Sequence, residues 1–526
     1  MGDYVPALYA TAFSLLPPLV AIVMALITKE VYSSLILGIA VGSLLYAGGN
    51  PLLAFNTMFF SEEGGLIASL SDTSHVCILV FVVILWTLVA VLNKSGAALA
   101  FGKSALKRVK TREGAQIATI LMGLLIFVDD GFNCLTVGSV MRPITDRYKV
   151  SRAKLAYIID STAAPICIIA PVSSWAAAVS YSVPESMDIN GFEMFIRTIP
   201  YNMYALCTIV MLFGLVLLKV DFGPMKKHEI NAKNGDLFTS GEKPYDENIG
   251  TEVENAKVSN LVVPIVLLIV TCIIGMLYTG GFFEGETLRN AFANTDSAKG
   301  MVIGSSITLL VTFILYMVRK ALTVKEFMGC FASGFRSVCE PMLILIFAWN
   351  LSGVTGLLGA STFIDGVVGG FAAGLQMLLP AIIFIISVFL AFSTGTSWGT
   401  FTILIPIVCA VFSGNYEMLL ISIAACLSGA VCGDHCSPIS DTTIMSSTGS
   451  QCDHVNHTTT QLPYAIVVAA VSFVGYLIAG IVGYATGTGM GMIATPIALV
   501  LVIVVLKVIK SRMGKDNDNN VESQAA

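Results

Sequence analysis

The stretch from Gly433 to Thr443 carries the side chains of this chain that are best suited to chemistry. Two carboxylates (Asp434 and Asp441), a histidine, four hydroxyls and Pro438 directly follow an apolar segment. A buried charge without a partner is costly, and an ionisable residue inside a membrane marks a functional site by default. Pro438 removes a backbone donor and breaks a helix, which frees carbonyl groups to face a cation. We therefore predict a broken membrane helix that lines an ion site.

The composition indicates a membrane protein. Of 526 residues, 56% are hydrophobic and only 12% are charged, whereas about 25% are charged in a typical soluble domain. The mean hydropathy is +0.83, and many apolar runs approach or exceed the roughly 18 residues that cross a bilayer. We expect an all-α polytopic membrane protein surrounded by lipid, with no nucleic-acid partner.

The distribution of basic residues predicts the orientation. The 48–75 loop carries acidic residues but no Lys or Arg, whereas the 94–112 segment carries six basic residues. Because cytoplasmic loops are enriched in Lys and Arg, the N-terminus is predicted outside. The basic 507–515 segment places the C-terminus in the cytoplasm.

Two apolar stretches read as re-entrant hairpins. Ala115 to Met141 is interrupted by Asp129–Asn133 and has basic residues on both sides, so both of its ends lie in the cytoplasm. Pro380 to Cys409, interrupted by Ser393–Thr400, is predicted to enter from the outside. Non-helical backbone at membrane depth is tolerated only where it is buried in protein or lines a water-filled cavity.

Two further stretches read as broken crossings that belong to an internal repeat. Leu155 to Tyr181 is broken by prolines, as is Met418 to Met445. A shift of about 263 residues aligns Trp86 with Trp349, a shift of 264 aligns the hairpin tips, and a few residues more align the broken helices. Matched spans run in opposite directions by the charge rule, which is typical of inverted repeats in secondary transporters. We predict about eleven crossings plus two hairpins.

The predicted organisation has five parts. They are a first transmembrane repeat (1–218), a polar cytoplasmic linker (219–258), a second repeat (259–463), a C-terminal helix pair (464–509) and a disordered cytoplasmic tail (510–526).

The candidate ion-binding and proton-coupling residues lie on the hairpins and broken helices, apart from Glu340. They are Asp129, Asp130, Asn133, Asp160, Glu340, Ser393, Thr394, Thr396, Ser397, Asp434, His435, Ser437, Ser440, Asp441 and Thr442. Na⁺ is a hard cation that prefers oxygen ligands, and carboxyl groups in a low dielectric hold protons well. We predict Na⁺ at Asp129, Asp130, Asp434 and Asp441.

Each candidate also has a plainer interpretation. Asp130 can cap a helix, Asp160 can pair with the basic 142–154 segment, Glu340 can lie at the membrane interface, and the hydroxyls can stabilise turns. His435 can modulate proton uptake or act as a simple hydrogen-bond partner. The cysteines and histidines between Cys432 and His457 fit no common zinc spacing, so no zinc site is predicted.

Three function classes compete. The first is a secondary antiporter that couples H⁺ to Na⁺ or to a small carboxylate, and the second is an intramembrane aspartyl protease. The protease does not explain carboxylates spread over both halves, nor does a channel need two related acidic sites. The sequence contains no nucleotide-binding P-loop, which argues against a primary pump. The residues favour a transporter rather than an enzyme.

The motifs also resemble a known family. Gly433–Thr443, its continuation through Thr460–Tyr464, Phe127–Asn133 and Asp160–Pro165 are similar to the signature of the NhaC-type Na⁺/H⁺ antiporters. The resemblance implies a bacterial inner-membrane antiporter of the ion transporter superfamily, with no cofactor beyond the transported Na⁺ and H⁺. It further implies paired hairpins, broken helices and a homodimer with an elevator-like motion. Because similar members exchange malate and lactate, organic-acid exchange is the alternative.

Overall fold

The computed structural model describes most of the chain, and every regular element in the described part is helical. The described residues are 6–28, 31–62, 64–97, 100, 109–184, 187, 189–239, 257–360, 362–363, 373–412, 414–438, 440–487 and 489–525. In chain order the helices are α1 (Leu16–Thr28), α2 (Val31–Tyr46), α3 (Pro51–Phe60), α4 (Leu66–Ser71), α5 (Thr73–Lys94), α6 (Arg112–Leu125), α7 (Asp130–Arg147), α8 (Arg152–Ser161), α9 (Ala164–Cys167), α10 (Ser174–Ser180), α11 (Gly191–Thr198), α12 (Met203–Leu218), α13 (Pro224–Lys233), α14 (Val258–Thr279), α15 (Leu288–Ala293), α16 (Ser297–Val318), α17 (Val324–Leu357), α18 (Ala373–Thr394), α19 (Ser397–Val411), α20 (Tyr416–Cys436), α21 (Asp441–Ser450), α22 (His454–Thr486) and α23 (Ala494–Ala525).

The helices confirm an all-α polytopic membrane protein. Seven described helices are long and apolar enough to cross a membrane, or eight if the bent pair Gly191–Tyr201 and Met203–Leu218 is one span. A helix satisfies its own backbone hydrogen bonds, which is why apolar chain adopts this form in lipid. Broken and shorter apolar helices add to this number, so the predicted eleven crossings are an approximate count.

Several boundaries differ from the sequence-based expectation. The 48–75 loop contains α3 and α4, and α17 begins at Val324, well before the predicted start of that crossing. The last helix extends to Ala525 and therefore includes the tail that the sequence predicts as disordered. Local signals explain the first two differences, since Asn50 caps α3 and Thr323 forms a capping box with Glu326 at the start of α17.

Both predicted hairpins and both broken helices are present. Hairpin 1 consists of α6 and α7, and hairpin 2 of α18 and α19. Broken helix 1 consists of α8, α9 and α10, whereas broken helix 2 consists of α20 and α21. The helices α7, α10, α19 and α21, each of which follows a break, begin with a polar N-cap, so these interruptions leave capped helix ends in the protein interior. The short α9 follows Ala163 and has no side-chain cap.

The caps define the repeat more accurately than the sequence alignment. Asp129 caps α7 and Thr396 caps α19, while Ser173 caps α10 and Ser440 caps α21. Both pairs lie 267 residues apart. The hairpin tips therefore align at the same shift as the broken helices, three residues beyond the 264 used for the tips in the sequence alignment.

Small residues bring these units into close contact. A Cβ added to Gly138 of α7 would lie 2.4 Å from the carbonyl carbon of Gly449 in α21. A Cβ on Gly433 of α20 would lie 2.2 Å from the carbonyl oxygen of Val388 in α18. Helices in membranes associate through such small-residue surfaces, since burial from lipid alone gives little driving force. Broken helix 2 is thus held against both hairpins.

The polar linker docks at the start of broken helix 1. Glu229 of α13 accepts a hydrogen bond from the Ser151 backbone N–H at 2.8 Å and pairs with Arg112. Lys154 pairs with Asp221 at 2.8 Å. Burial raises the pKa of Glu229, although the nearby Arg112 opposes this effect. The linker therefore marks one end of the molecule, and broken helix 1 runs from it towards Tyr181 at the opposite end.

Candidate ion-binding site

The tip of hairpin 1 presents two neighbouring carboxylates to broken helix 1. The Asp129 Oδ1 atom accepts from the Phe132 backbone N–H at 3.0 Å, and Oδ2 accepts from the Ser174 hydroxyl at 3.1 Å. The Asp130 Oδ1 atom accepts from the Gly131 backbone N–H at 2.9 Å, and Oδ2 accepts from the Trp175 indole N–H at 3.0 Å. All four oxygens of the pair thus have a donor from the protein.

The position of this pair on a helix favours ionised carboxylates. Asp129 is the N-cap of α7 and Asp130 is its first residue. The start of a helix carries a partial positive charge and unpaired N–H groups, both of which stabilise anions. The plainer interpretation, in which Asp130 caps the helix, is wrong by one residue: the N-cap of α7 is Asp129.

Asn133 ties the two interruptions of the first repeat together. Its Nδ2 group lies 2.8 Å from the carbonyl oxygens of Gly123, Ile126 and Thr162. The first two belong to the end of hairpin 1's first helix, and Thr162 follows α8. Asn133 is fully buried. It therefore organises backbone carbonyls at the breaks, and its predicted ion-binding role stays a prediction.

Asp434 occupies a different electrostatic position in the second repeat. It lies in the last turn of α20, and its Oδ2 atom accepts from the Ser397 hydroxyl of hairpin 2 at 2.9 Å. Asp434 is 2% exposed, and among the described residues its Oδ1 atom has no hydrogen-bond partner. The end of a helix carries a partial negative charge. The surroundings therefore favour a proton or a cation on this carboxylate.

The break after Asp434 adds hydroxyl and carboxylate oxygens. The Ser440 hydroxyl lies beside Asp434 and 3.0 Å from the Thr442 hydroxyl. Asp441, in the first turn of α21, is exposed and accepts from the Thr442 backbone N–H at 2.8 Å. Ser437 donates instead to the Phe392 carbonyl of hairpin 2 at 2.8 Å. The predicted residues of this stretch are brought together, with Ser437 attaching the break to hairpin 2.

The predicted hydroxyls of hairpin 2 divide into two groups. Thr394 donates to the Leu390 carbonyl of its own helix, and Thr396 caps α19 by accepting from Gly399 N–H. Ser393 lies in the last turn of α18. Ser397 instead donates a hydrogen bond to a candidate carboxylate, Asp434. The interpretation as turn residues therefore describes Thr394 and Thr396.

Asp160 and His435 belong to a separate buried cluster. The Asp160 Oδ2 atom accepts from Gln461 Nε2 at 2.9 Å and lies 3.2 Å from His457 Nε2 and 3.9 Å from His435 Nε2. The expectation that Asp160 pairs with the basic 142–154 segment is wrong. That segment has other partners, because Arg152 pairs with Asp146 and Lys154 with Asp221.

Sequence reasoning missed several members of these sites. Ser174 and Trp175 contact the hairpin 1 carboxylates, and His457 and Gln461 contact Asp160. A signal for the last two exists in the sequence, since His457, Gln461 and Tyr464 recur at helical spacing along one face. The predicted Glu340 lies near the middle of α17, and its side chain is outside the described residues.

An aromatic cluster and a cavity lie beyond the sites, away from the linker. The Trp175 ring is 6.3 Å from that of Trp398 and 5.6 Å from that of Phe401, which joins broken helix 1 to hairpin 2. A cavity of about 790 Å³ opens further on, between α4, the segment that follows α10, α17 and α19. Glu62, Asp72 and His75 line it, and its described lining contains no Lys or Arg. Its charge favours the approach of cations.

A family model and one full-length relative cover this architecture. The model of the Na⁺/H⁺ antiporter family matches residues 176–481. An uncharacterized protein of Haemophilus influenzae is 36% identical over 514 residues, which is 95% of this chain and 96% of the relative. Both comparisons include hairpin 2 and broken helix 2, where Asp434 lies.

Two further comparisons concern transporters. The malate-2H⁺/Na⁺-lactate antiporter of Bacillus subtilis is 30% identical over 187 residues, covering 33% of this chain and 38% of that protein. The crystal structure of the YdaH transporter of Alcanivorax borkumensis superposes with a TM-score of 0.55 at 12% identity, covering 84% of this chain and 90% of that one. The second likeness concerns the fold alone.

Proposed function

The chain belongs to the Na⁺/H⁺ antiporter family, and on that premise we propose that it exchanges Na⁺ for H⁺, with both cations competing for the Asp434 carboxylate. The observation that carries the proposal is the buried Oδ1 atom of Asp434, which has no hydrogen-bond partner among the described residues. An ionised carboxylate oxygen in that position is costly to bury without compensation. A bound proton or Na⁺ supplies that compensation.

The atoms around Asp434 suit Na⁺. Ser397 Oγ lies 2.9 Å from the carboxylate, and the Ser440 hydroxyl and the Asp441 charge are close by. Hydroxyl, carboxylate and carbonyl oxygens are the ligands that a hard cation prefers. The break between α20 and α21 contributes a hydroxyl oxygen beside Asp434, because Ser440 is the N-cap of α21.

Asp129 and Asp130 have a supporting role in this proposal. Their oxygens are occupied by donors, and the start of α7 stabilises their charge. Asp441 interacts electrostatically with both Asp129 and Asp434. When ionised, the pair adds negative potential to the region without exchanging its own hydrogen-bond donors. This assignment narrows the predicted Na⁺ ligands from four carboxylates to Asp434, aided by Asp441.

Competition at one carboxylate explains coupling. When either Na⁺ or H⁺ neutralises Asp434, the buried site carries no uncompensated charge and can change its access from one side to the other. When the site is empty and Asp434 is ionised, the same change of access has a high free-energy cost, because the buried charge is uncompensated. Each Na⁺ carried one way is therefore matched by proton movement the other way, which is antiport rather than leakage.

The cellular setting belongs to the same proposal. We place the protein in the bacterial inner membrane as a homodimer, with its C-terminus and linker in the cytoplasm. The basic residues that flank hairpin 1 and those at 507–515 in α23 support this orientation. The cavity of about 790 Å³ would then face outside, because broken helix 1 leads from the linker to Tyr181 at the cavity wall.

Organic-acid exchange is the second candidate function. The Bacillus subtilis relative, a malate-2H⁺/Na⁺-lactate antiporter by name, supports it. The cavity is large enough for a small solute, but its described lining offers Glu62 and Asp72 and no Lys or Arg to attract a carboxylate. Arg152, a candidate anion partner, is already paired with Asp146 through two hydrogen bonds of 2.7 Å. Na⁺/H⁺ exchange is therefore preferred.

The test uses purified protein in liposomes that contain a pH-sensitive dye. Na⁺, Li⁺, K⁺, malate or lactate is added outside, and the proton flux is recorded for the wild type, D434N and the control D296N. Asp296 caps α16 through Lys299 N–H, far from the site in the chain, and Asn retains that acceptor. We expect a Na⁺-driven flux in the wild type and D296N, reduced at least 100-fold in D434N.

The pH dependence gives the same test a second readout. Because H⁺ and Na⁺ compete, lowering the pH on the side of Na⁺ entry should raise the Na⁺ concentration needed for half-maximal flux. A flux driven by malate or lactate but by no cation would move the protein to organic-acid exchange. A D434N flux equal to that of the wild type would refute the assignment of Asp434.

A further inference from the structure

A second group of ionisable side chains lies in the core between α8, α20 and α22. It consists of Asp160, His435, His457 and Gln461, none of which is more than 2% exposed. We call these four residues the imidazole–carboxylate cluster. Its members come from three helices and from both repeats, so it is not a local feature of one helix. The proposed competition at Asp434 does not use it.

The donors around Asp160 distinguish this cluster from the Asp434 site. Gln461 donates its amide N–H to Asp160 Oδ2 at 2.9 Å, and the His457 Nε2 atom lies 3.2 Å from the same oxygen. Thr443 donates its hydroxyl at 3.3 Å. N–H groups stabilise an anion, but they cannot serve as ligands for Na⁺. Asp160 is therefore equipped to stay ionised rather than to bind the cation.

His457 has one nitrogen left for a proton. With Asp160 ionised, Nε2 carries the hydrogen that it donates to the carboxylate, so Nδ1 carries the lone pair. His457 is fully buried, and among the described residues its Nδ1 atom has no hydrogen-bond partner. A proton added at Nδ1 would give an imidazolium next to the Asp160 carboxylate. The two charges would then balance within the cluster.

We propose that His457, with Asp160 as its counter-charge, is a second proton-binding site that is loaded and unloaded during exchange, separately from Asp434. The inference rests on the proposed function, because it adds a proton to the Na⁺/H⁺ exchange at Asp434. An imidazole suits this task, because the lone pair on Nδ1 can take up a proton while Nε2 keeps its hydrogen bond to Asp160. The site binds a proton alone, because its nitrogen donors exclude Na⁺.

The neighbouring groups leave His457 as the open member of the cluster. His435 is engaged on both nitrogens, by the Tyr204 hydroxyl at 2.8 Å from Nδ1 and by the Ser161 hydroxyl at 3.2 Å from Nε2. The other titratable side chains around Asp160 and His435 are Tyr157, Cys134, Cys432, Cys436, Asp130 and Asp434.

A polar face connects the cluster with the linker side. His457, Gln461 and Tyr464 follow one another along α22 at helical spacing. The Tyr464 hydroxyl lies 3.3 Å from Asp221, whose side chain is 22% exposed and also pairs with Lys154. Protons at His457 can therefore exchange through the linker end of the molecule, whereas Asp434 lies in the last turn of α20 and bonds to Ser397 of hairpin 2.

The consequence is a change in stoichiometry. With protons carried at both Asp434 and His457, about two protons should move for each Na⁺, and each cycle should transfer net charge across the membrane. Without the His457 site, about one proton should exchange for one Na⁺ at Asp434, and the cycle should be electrically silent. The two cases differ in their response to membrane potential.

The experiment measures the proton-to-sodium ratio in liposomes whose membrane potential is set with K⁺ and valinomycin. Radioactive Na⁺ and a pH dye report both fluxes, and the Na⁺ gradient at which net flux reverses is determined at several potentials. The variants are H457Q, D160N, D434N and, as a matched control outside the membrane spans, H228Q. Gln can still donate an N–H towards Asp160 but cannot take up a proton.

We expect the wild type and H228Q to show about two protons per Na⁺ and a reversal gradient that shifts with potential. H457Q and D160N should keep Na⁺ transport, move about one proton per Na⁺ and lose the potential dependence. A ratio of one proton per Na⁺ in the wild-type protein would overturn the inference without any variant. An unchanged proton-to-sodium ratio in a folded H457Q would also overturn it. Loss of Na⁺ transport in D434N with an unchanged ratio in H457Q would leave the proposed function intact and remove only the second site.

Discussion

The two repeats share a backbone plan but place their carboxylates on opposite elements. In the first repeat the hairpin carries Asp129 and Asp130, and Ser174 of the broken helix donates a hydrogen bond to Asp129. In the second repeat the broken helix carries Asp434, and Ser397 of the hairpin donates a hydrogen bond to it. Asp129 and Asp434 therefore each accept a hydrogen bond from a serine of the neighbouring element of their own repeat, whereas Asp130 accepts from the Trp175 indole. The shared framework supports opposite distributions of charge.

The difference lies in how completely each carboxylate is satisfied. Asp129 stands at the positive start of α7 with donors on both oxygens. Asp434 stands at the negative end of α20, with a donor on Oδ2 but no partner for Oδ1 among the described residues. The N-terminal end of a helix thus stabilises an ionised carboxylate, whereas the C-terminal end destabilises it. We infer that a carboxylate with donors on both oxygens has a structural role, whereas one with an oxygen left without a donor can bind and release a cation.

The largest effect is expected where the two repeats interlock. Replacing Gly138 with Ala would put a Cβ 2.4 Å from the backbone of Gly449, and backbone cannot move aside as a flexible side chain can. We expect G138A to lose most of its folded protein, measured by monodisperse yield and thermal unfolding in detergent. G329A is the matched control, because a Cβ there has no described neighbour within 4 Å. Equal yields of both variants would contradict the close approach of α7 and α21.

A pair of serine variants compares the two repeats directly. S397A removes the donor to Asp434 Oδ2 and an oxygen next to the proposed Na⁺ site. Hydrogen bonds to charged groups contribute about 1.5–3 kcal/mol, so the Na⁺ concentration for half-maximal flux should rise at least about tenfold. S174A removes the equivalent donor to Asp129, which keeps the Phe132 N–H and the helix start.

For S174A we therefore expect a change in half-maximal Na⁺ concentration of less than about threefold, together with a modest loss of thermal stability. The measurement is the initial rate of Na⁺-driven proton flux over a range of Na⁺ concentrations. If the two variants shift the Na⁺ dependence equally, the distinction between a structural and an exchanging repeat fails.

Much of this framework follows from the sequence because it depends on local rules. Apolar length predicts helices, and prolines or acidic residues inside apolar runs predict the interruptions at Asp129–Asn133 and after Asp434. Hydrophobic runs and charge bias do not, however, fix helix ends. Caps do so, and Thr323 and Asn50 start α17 and α3 at positions that hydropathy leaves undefined.

The site is harder to predict from the sequence, because the difference between its carboxylates depends on tertiary contacts. Asp129 and Asp434 look equivalent in the sequence, since both are acidic residues at a break. Their difference arises from which helix end each one occupies and from partners such as Ser174 and Ser397, distant in the chain. His457 is likewise one polar residue on a long helix, and only the approach of α8 places Asp160 against it.

The smallest effect is expected for D129N, which isolates the charge of Asp129 from its hydrogen bonds. Asn retains an oxygen for the Phe132 N–H, so the cap on α7 survives and thermal stability should change by less than about 1 kcal/mol. The lost negative charge lowers the attraction for Na⁺, but Asp130 and Asp441 remain. We expect the half-maximal Na⁺ concentration to rise by no more than about tenfold, equivalent to about 1.4 kcal/mol. Complete loss of exchange in stable D129N, as expected for D434N, would show that hairpin 1 also binds the exchanged cation, because loss of a supporting charge alone cannot remove the ligand that Na⁺ and H⁺ share.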